Sequence, residues 1–263
     1  MTVKLLAIDV DDTLITDELV IPKETHQAIS QAQAKGVHVI LATGRMWQST
    51  VPYARELGLT GPLILYNGAM VRTVEGEVKQ HYPVPLSLAR ELAKLCQAHD
   101  LDLNVYVDDE LYVERVTEHT EYYQMMTGTE AVPVGDLVHF LDTEPTKLLI
   151  VGHEAPIASW LGHLSQQYEG QLSIFQSKPR YIEITRKGIS KGVALKALAE
   201  SLGLAREEVI AIGDGGNDVA MLQYAGIGVA VGNASDAAKE AADWIAPSNE
   251  EAGVAEAIRK FIL

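Results

Sequence analysis

Apolar and polar positions follow two different rhythms along the chain. The runs Val3 to Ile8, Val37 to Leu41, Leu63 to Tyr66, Val209 to Ile212 and Ile227 to Val231 are short and almost unbroken. They read as strands of a parallel sheet buried on both faces. Stretches with helical spacing lie between them. Ile21-Pro22 starts one and Gly36 ends it, with Ala28, Ile29, Ala32 and Ala34 along its apolar stripe. Another runs from Trp47 to Leu57 and stops at Gly58; a third runs from Ser190, a capping residue, to Leu202 and stops at Gly203. Trp244-Ile245-Ala246 and a helix to Phe261 close the chain. Strands alternating with helices predict the α/β class, a doubly wound, Rossmann-like parallel sheet.

The middle of the chain breaks this rhythm. Met70 to Val74 and Val78 to Tyr82 flank Glu75-Gly76-Glu77, a hairpin pattern. From Pro83 to about Thr185, helical stretches (Leu88 to Ala98, Pro156 to Tyr168) mix with antiparallel strands (Leu101 to Val107, Glu110 to Glu114, Lys147 to Gly152, Leu172 to Gln176, Tyr181 to Thr185). The pattern predicts an inserted α+β domain over residues 84–186, with residues 1–83 and 187–263 forming the core. Hinges fall at Pro83-Val84-Pro85 and Arg186-Lys187-Gly188. Tyr122 to Met126 reads as a core helix, and Tyr106 and Tyr112 as strand packing.

Composition narrows the partners. A formal net charge of -15 argues against a nucleic acid held by its phosphates and against an anionic membrane surface. It leaves room for a small phosphorylated ligand, because a local cation outweighs a distant field. The lone Cys96 excludes an intrachain disulfide and makes a cytoplasmic setting the expectation. The N-terminus lacks a signal-peptide pattern, and no apolar run reaches 18 residues. The sequence carries no signal for oligomeric state.

The candidate chemistry sits where the apolar runs end. Val3 to Ile8 runs into Asp9, Asp11 and Asp12, three acids in four positions, which repel one another unless a cation sits among them. Val37 to Leu41 runs into Thr43-Gly44-Arg45, and Val209 to Ile212 into Asp214, Asn217 and Asp218. In a doubly wound sheet these ends line one edge, where ligands bind. Lys191, at a helix start, is a fourth contributor. Each residue alone has a plainer reading: Asp9 or Asp214 as a turn former, Asp218 as an acid meeting a helix dipole, Lys191 as a solvated lysine, Arg45 as a surface charge. Gly226-x-Gly228 lies inside a strand-like run and is no nucleotide loop. The eight histidines show no metal-ligand spacing.

Taken in order, these segments resemble the haloacid dehalogenase superfamily, and within it the Cof-type phosphatases. Asp9-Val10-Asp11-Asp12-Thr13 is similar to the first motif and Ala42-Thr43-Gly44-Arg45 to the second. Lys191 in Gly188-Ile189-Ser190-Lys191-Gly192 matches the third, and Gly213-Asp214-Gly215-Gly216-Asn217-Asp218 the fourth. Asn67-Gly68-Ala69 and Gly232-Asn233-Ala234 match further Cof-type signatures, and the insertion lies where that branch carries an α/β cap. Asp12 departs from the pattern, standing where the family most often has glycine.

The resemblance implies a Mg²⁺-dependent phosphatase of small phosphorylated metabolites, sugar phosphates first, with flavin mononucleotide or pyridoxal phosphate behind. Asp9 is the implied nucleophile and Asp11 the acid and base. Asp9, Asp11 (through its backbone carbonyl), Asp214 and Asp218 are the implied metal set, with Asn217 beside them completing or orienting that shell. Thr43, Gly44, Arg45, Lys191 and Asn217 are the candidate phosphate and substrate contacts. Two rivals share the same acids: a sugar phosphomutase, and a non-enzymatic phospho-accepting regulatory module.

Overall fold

The computed structural model describes residues 2–263. They form two compact units, one from residues 2–45, Thr50–Gln80 and Ser190–Leu263, the other from Met46–Ser49 and His81–Ile189. In chain order the first unit begins with β1 (Leu5–Ile8), α1 (Lys23–Ala34), β2 (His38–Leu41), α2 (Trp47–Glu56, whose first turn counts with the second unit), β3 (Pro62–Leu65), β4 (Met70–Thr73) and β5 (Val78–His81, whose last residue counts with the second unit).

The second unit follows, with α3 (Leu86–Ala98), β6 (Asp102–Val107), β7 (Glu110–Val113), α4 (Glu118–Thr127), β8 (Ala131–Pro133), α5 (Leu137–Phe140), β9 (Lys147–Val151), α6 (Glu154–Gln167), β10 (Leu172–Lys178) and β11 (Tyr181–Arg186). Its six strands lie in the order β10-β11-β9-β6-β7-β8. Alternation fixes its core: Leu103 and Val105 of β6, Leu148 and Ile150 of β9, and Ile182 and Ile184 of β11 pack with Leu92 and Cys96 of α3 and Leu164 of α6. Asp109, in the turn after β6, accepts the backbone N–H groups of Trp47 at 2.9 Å and Gln48 at 3.0 Å and so caps the first turn of α2. Tyr122 to Met126 is helical, but it is no core helix. Only Thr120 and Tyr123 of α4 are buried, while Met125 is 72% exposed. Two adjacent methionines cannot both follow Tyr123 inward at 100° per residue.

The chain then returns to the first unit with α7 (Lys191–Ser201), β12 (Val209–Gly213), α8 (Val219–Tyr224), β13 (Ile227–Ala230), α9 (Asp236–Ala241), β14 (Trp244–Ile245) and α10 (Gly253–Phe261). Its main sheet is parallel throughout, in the order β14-β13-β12-β1-β2. All four residues of β1 are fully buried, as a central strand covered on both faces requires. The apolar run at Leu63 does not join this sheet as a full strand. A single parallel bridge, Ala42 to Ile64, links it to the β2 edge; β3 otherwise pairs antiparallel with β4 and forms a separate three-stranded sheet with β4 and β5. Gly228 lies within β13, away from any strand-to-helix turn.

Candidate active site

β1 and β12 are neighbours, paired Leu5 to Val209 through Ile8 to Ile212. Their carboxyl ends deliver Asp9 and Asp214 side by side. Beyond Ile8 the backbone makes a wide turn, Val10–Leu14, in which Asp12 takes φ +57°. That left-handed conformation suits glycine, and aspartate and asparagine tolerate it better than most residues. The family's usual glycine is thus replaced by one of the few side chains the turn accepts. The turn is held from the β13 side, where the Asn233 amide donates to the Asp12 carbonyl at 2.7 Å.

Lys191 is the centre of the acid cluster. Ser190 caps α7 by accepting the Val193 N–H, so Lys191 opens the helix, and its side chain is fully buried. The ammonium donates to Asp9 Oδ1 at 2.5 Å and to Asp218 Oδ1 at 2.7 Å. Asp218 uses its second oxygen to accept the backbone N–H groups of Asp214 at 3.0 Å and Gly215 at 2.9 Å, which folds the Gly213–Asp218 loop around it. A Cβ at position 213 would stand 2.6 Å from that of Asp218, so glycine is needed there. Thr13 donates to Asp214 Oδ1 at 2.9 Å.

One ammonium faces three carboxylates. Ligand atoms of Asp9, Asp214 and Asp218 all lie within 4.8 Å of one another. Burial, then the charge of Asp218, pushes the Asp9 carboxyl well above the ordinary range, and Lys191 pulls it only part of the way back. Burial and Asp218 likewise push Asp214 up to about 7 against the opposing Thr13 hydrogen bond. Burial disfavours the charged Lys191, yet Asp218 and Asp9 overturn it and raise the ammonium's pKa. The excess negative charge and the all-oxygen donor set fit a hard divalent cation.

Thr43 is fully buried, and its hydroxyl oxygen accepts the Arg45 backbone N–H at 3.1 Å. Arg45 reaches back to Asp11, whose carboxylate is therefore turned to the guanidinium and stands apart from the other three acids. Burial works against the Arg45 charge, but the hydrogen bond and charge of Asp11 raise its pKa. Asn217 donates to Asn67 at 3.0 Å, and Asn67 donates its backbone N–H to the Thr43 carbonyl at 3.0 Å. Among the residues read from sequence, Asp9, Asp214, Asp218 and Lys191 thus form one cluster, Asp11 and Arg45 a second, and Thr43, Gly44 and Asn217 gather around Asn67. Asn67, Thr13 and Asn233 received no role from sequence, although all three lie in motif-like segments.

The second unit holds one grouping that residue spacing did not reveal. Glu118, His119 and His153 offer ligand atoms within 4.8 Å of one another. The Arg180 guanidinium, stacked on Tyr122 with 3.9 Å to the ring centre, lies 2.9 Å from His119 Nδ1.

Residues 6–258 match the family described as haloacid dehalogenase-like hydrolase. The chain belongs to that family. Over 263 residues it is 31% identical to the 5-amino-6-(5-phospho-D-ribitylamino)uracil phosphatase YitU of Bacillus subtilis, covering 98% of this chain and 97% of the relative. A crystal structure of a haloacid dehalogenase-like hydrolase from Bacteroides thetaiotaomicron superposes with a TM-score of 0.89 at 31% identity, covering 98% of this chain and 99% of that one. The sugar phosphatase BT4131, described as haloacid dehalogenase subclass IIB, gives a TM-score of 0.87 at 26% identity, with 98% of each chain covered. This hydrolase therefore stands among phosphatases, and phosphatase activity is what its membership supports. The superfamily generally uses a metal ion. Among the described residues, no helix is long and apolar enough to cross a membrane.

Proposed function

We propose that the chain is a Mg²⁺-dependent phosphatase of small phosphorylated metabolites, acting through an aspartyl-phosphate, with sugar and sugar-alcohol phosphates as its substrate class. The observation that carries the reading is the fully buried Lys191 joining Asp9 to Asp218, with Asp214 in the same cluster. A lysine placed there holds a nucleophilic carboxylate still and offers positive charge to an incoming phosphoryl group. The substrate class draws on the phosphorylated ribityl chain in the name of the YitU relative and on the sugar phosphatase BT4131.

In this mechanism an Asp9 carboxylate oxygen attacks phosphorus and the ester P–O bond breaks. Asp11 gives its proton to the departing alkoxide oxygen. A water then attacks the aspartyl-phosphate, Asp11 takes its proton, and inorganic phosphate and free Asp9 are restored. Lys191 and Thr43 hold the non-bridging oxygens, where charge gathers. Asp9, Asp214 and the Asp11 carbonyl would hold Mg²⁺, with Asp218 and Asn217 orienting the loop around it; the ion would screen the repulsion between carboxylate and phosphate.

Residues 84–186 are read as the cap that selects the substrate, and residues 1–83 and 187–263 as the catalytic core. A cytoplasmic setting belongs to the same reading, supported by the buried, unpaired Cys96.

The experiment is phosphate release from p-nitrophenyl phosphate and a panel of sugar and polyol phosphates. Activity should require Mg²⁺ and vanish in Asp9→Asn. Turnover that survives excess chelator, or that survives loss of the Asp9 carboxylate, contradicts the mechanism.

A further inference from the structure

The segment Tyr66–Gly68, just past β3, is built unlike an ordinary turn. Its three residues have φ of +51°, +57° and +97° in succession. Glycine and asparagine accept this region, but Tyr66 does not take it readily, so something outside the loop holds it there. Tyr66 donates its N–H to the Arg45 carbonyl at 3.1 Å, and Asn67 donates to that of Thr43, which ties the loop to the second motif. On its other side a Cβ at position 68 would stand 2.3 Å from the Ser190 carbonyl oxygen, so Gly68 lies flush against the residue that precedes Lys191.

Asn67 is 2% exposed. Its Oδ1 accepts from the Asn217 amide at 3.0 Å. Its Nδ2 is buried and has no hydrogen-bond partner. A buried donor left unpaired is costly, and each one calls for a ligand, ion or water that completes it. The side chain lies beside Gly44, within contact distance of where a Cβ there would be. The Asn67 amide thus lies beside the second-motif loop and is tied to the fourth-motif loop, in a segment whose Gly68 packs on the start of the lysine helix.

We propose that Asn67 is a phosphate-binding residue, its side-chain amide donating to a non-bridging oxygen of the substrate's phosphoryl group. The inference rests on the phosphatase reading and adds a donor from a fourth strand-end loop. The anion explains both the unpaired amide and the strained backbone that presents it.

Inorganic phosphate binding, measured by calorimetry in Mg²⁺, tests this on the wild-type protein, Asn67→Asp and Asn67→Gly. Both replacements accept a positive φ. The aspartate still accepts from Asn217 but cannot donate, so a role limited to holding Asn217 leaves N67D silent. The expected result is a loss of about tenfold or more in phosphate affinity for N67G and a larger loss for N67D, with circular dichroism and melting close to wild type. If N67D were poorly folded, N67G decides alone. Phosphate binding within about twofold of wild type in N67D, or no binding by the wild type, overturns the inference. The phosphatase reading fails separately, if the wild type releases no phosphate from any ester.

Discussion

Arg45 holds Asp11 through two parallel hydrogen bonds, Nε to Oδ2 at 2.9 Å and Nη2 to Oδ1 at 2.7 Å. The guanidinium is mostly buried and also lies 5.3 Å from the Tyr53 ring centre, so the pair is fixed from the arginine side. A planar fork of this kind sets both the position and the plane of the carboxylate. In the proposed mechanism Asp11 gives the leaving oxygen its proton, which matters most when that oxygen is a poor leaving group. Arg45→Ala should therefore lower kcat/KM for a sugar phosphate by about tenfold to a hundredfold, and for p-nitrophenyl phosphate by much less, because nitrophenolate departs without a proton. Arg45→Lys should restore little, since an ammonium cannot form the fork. Equal losses on both esters would show that Arg45 acts on the substrate directly.

Lys191 stands between two buried acids, and removing one partner of a buried pair is harsher than removing both. Lys191→Met should destabilise the metal-free protein by about 3–5 kcal/mol in urea unfolding and reduce turnover by about 10²–10³. A double change, Lys191→Met with Asp218→Asn, should recover part of the stability and none of the activity. Additive stability losses would mean that the two side chains do not interact.

The raised carboxyls give the metal-free protein an unusual pH dependence. The Asp214 carboxyl binds its proton more tightly folded, with a pKa of about 7, than unfolded, near 3.8. That contribution is complete below the unfolded value and is lost as pH rises toward 7, and Asp9 pulls in the same direction. In chelator, urea unfolding should show stability falling by about a few kcal/mol from pH 4 to pH 7 in this part of the profile. Mg²⁺ should reverse the trend above pH 6, because a cation that binds only the folded state stabilises it most where the acids are ionised. An Asp214→Asn variant with an unchanged slope would place the titration elsewhere.

Asp12 occupies a left-handed position beside Asp214, and its charge is one of the factors raising that carboxyl. Asp12→Gly should fold normally and lower the pH at which Asp214 ionises. Asp12→Val, a β-branched residue at φ +57°, should cost about 1–3 kcal/mol of stability. Matched thermal melts of the two variants check both statements.

The buried strands and the acids at their ends were legible because both are local patterns. An unbroken apolar run such as Val3 to Ile8 admits few interpretations, and Asp9 must follow it. The meeting of Lys191 with Asp9 was of another kind. The two are 182 positions apart, and only the order of the motifs, read by resemblance, brought them together in advance. Leu63 to Tyr66 looked like its fellow strands, yet it shares only the Ala42–Ile64 bridge with the main sheet and pairs along its other edge with β4, a difference that no single run displays. The Arg45–Asp11 pair was hidden because three neighbouring acids were equally available to one arginine. His119 and His153 escaped for want of a short spacing. Asn67 lay in plain view within a signature, but an unpaired donor is a property of packing.

The left-handed backbone at Tyr66 and Asn67 has a consequence for the chain's tolerance of heat. A relaxed turn at the end of β3 would make a sturdier protein, since the left-handed Tyr66 withholds roughly 1–3 kcal/mol. Laboratory selection for thermal endurance alone should find replacements in this loop, and their bearers should survive heating better while gripping phosphate less well.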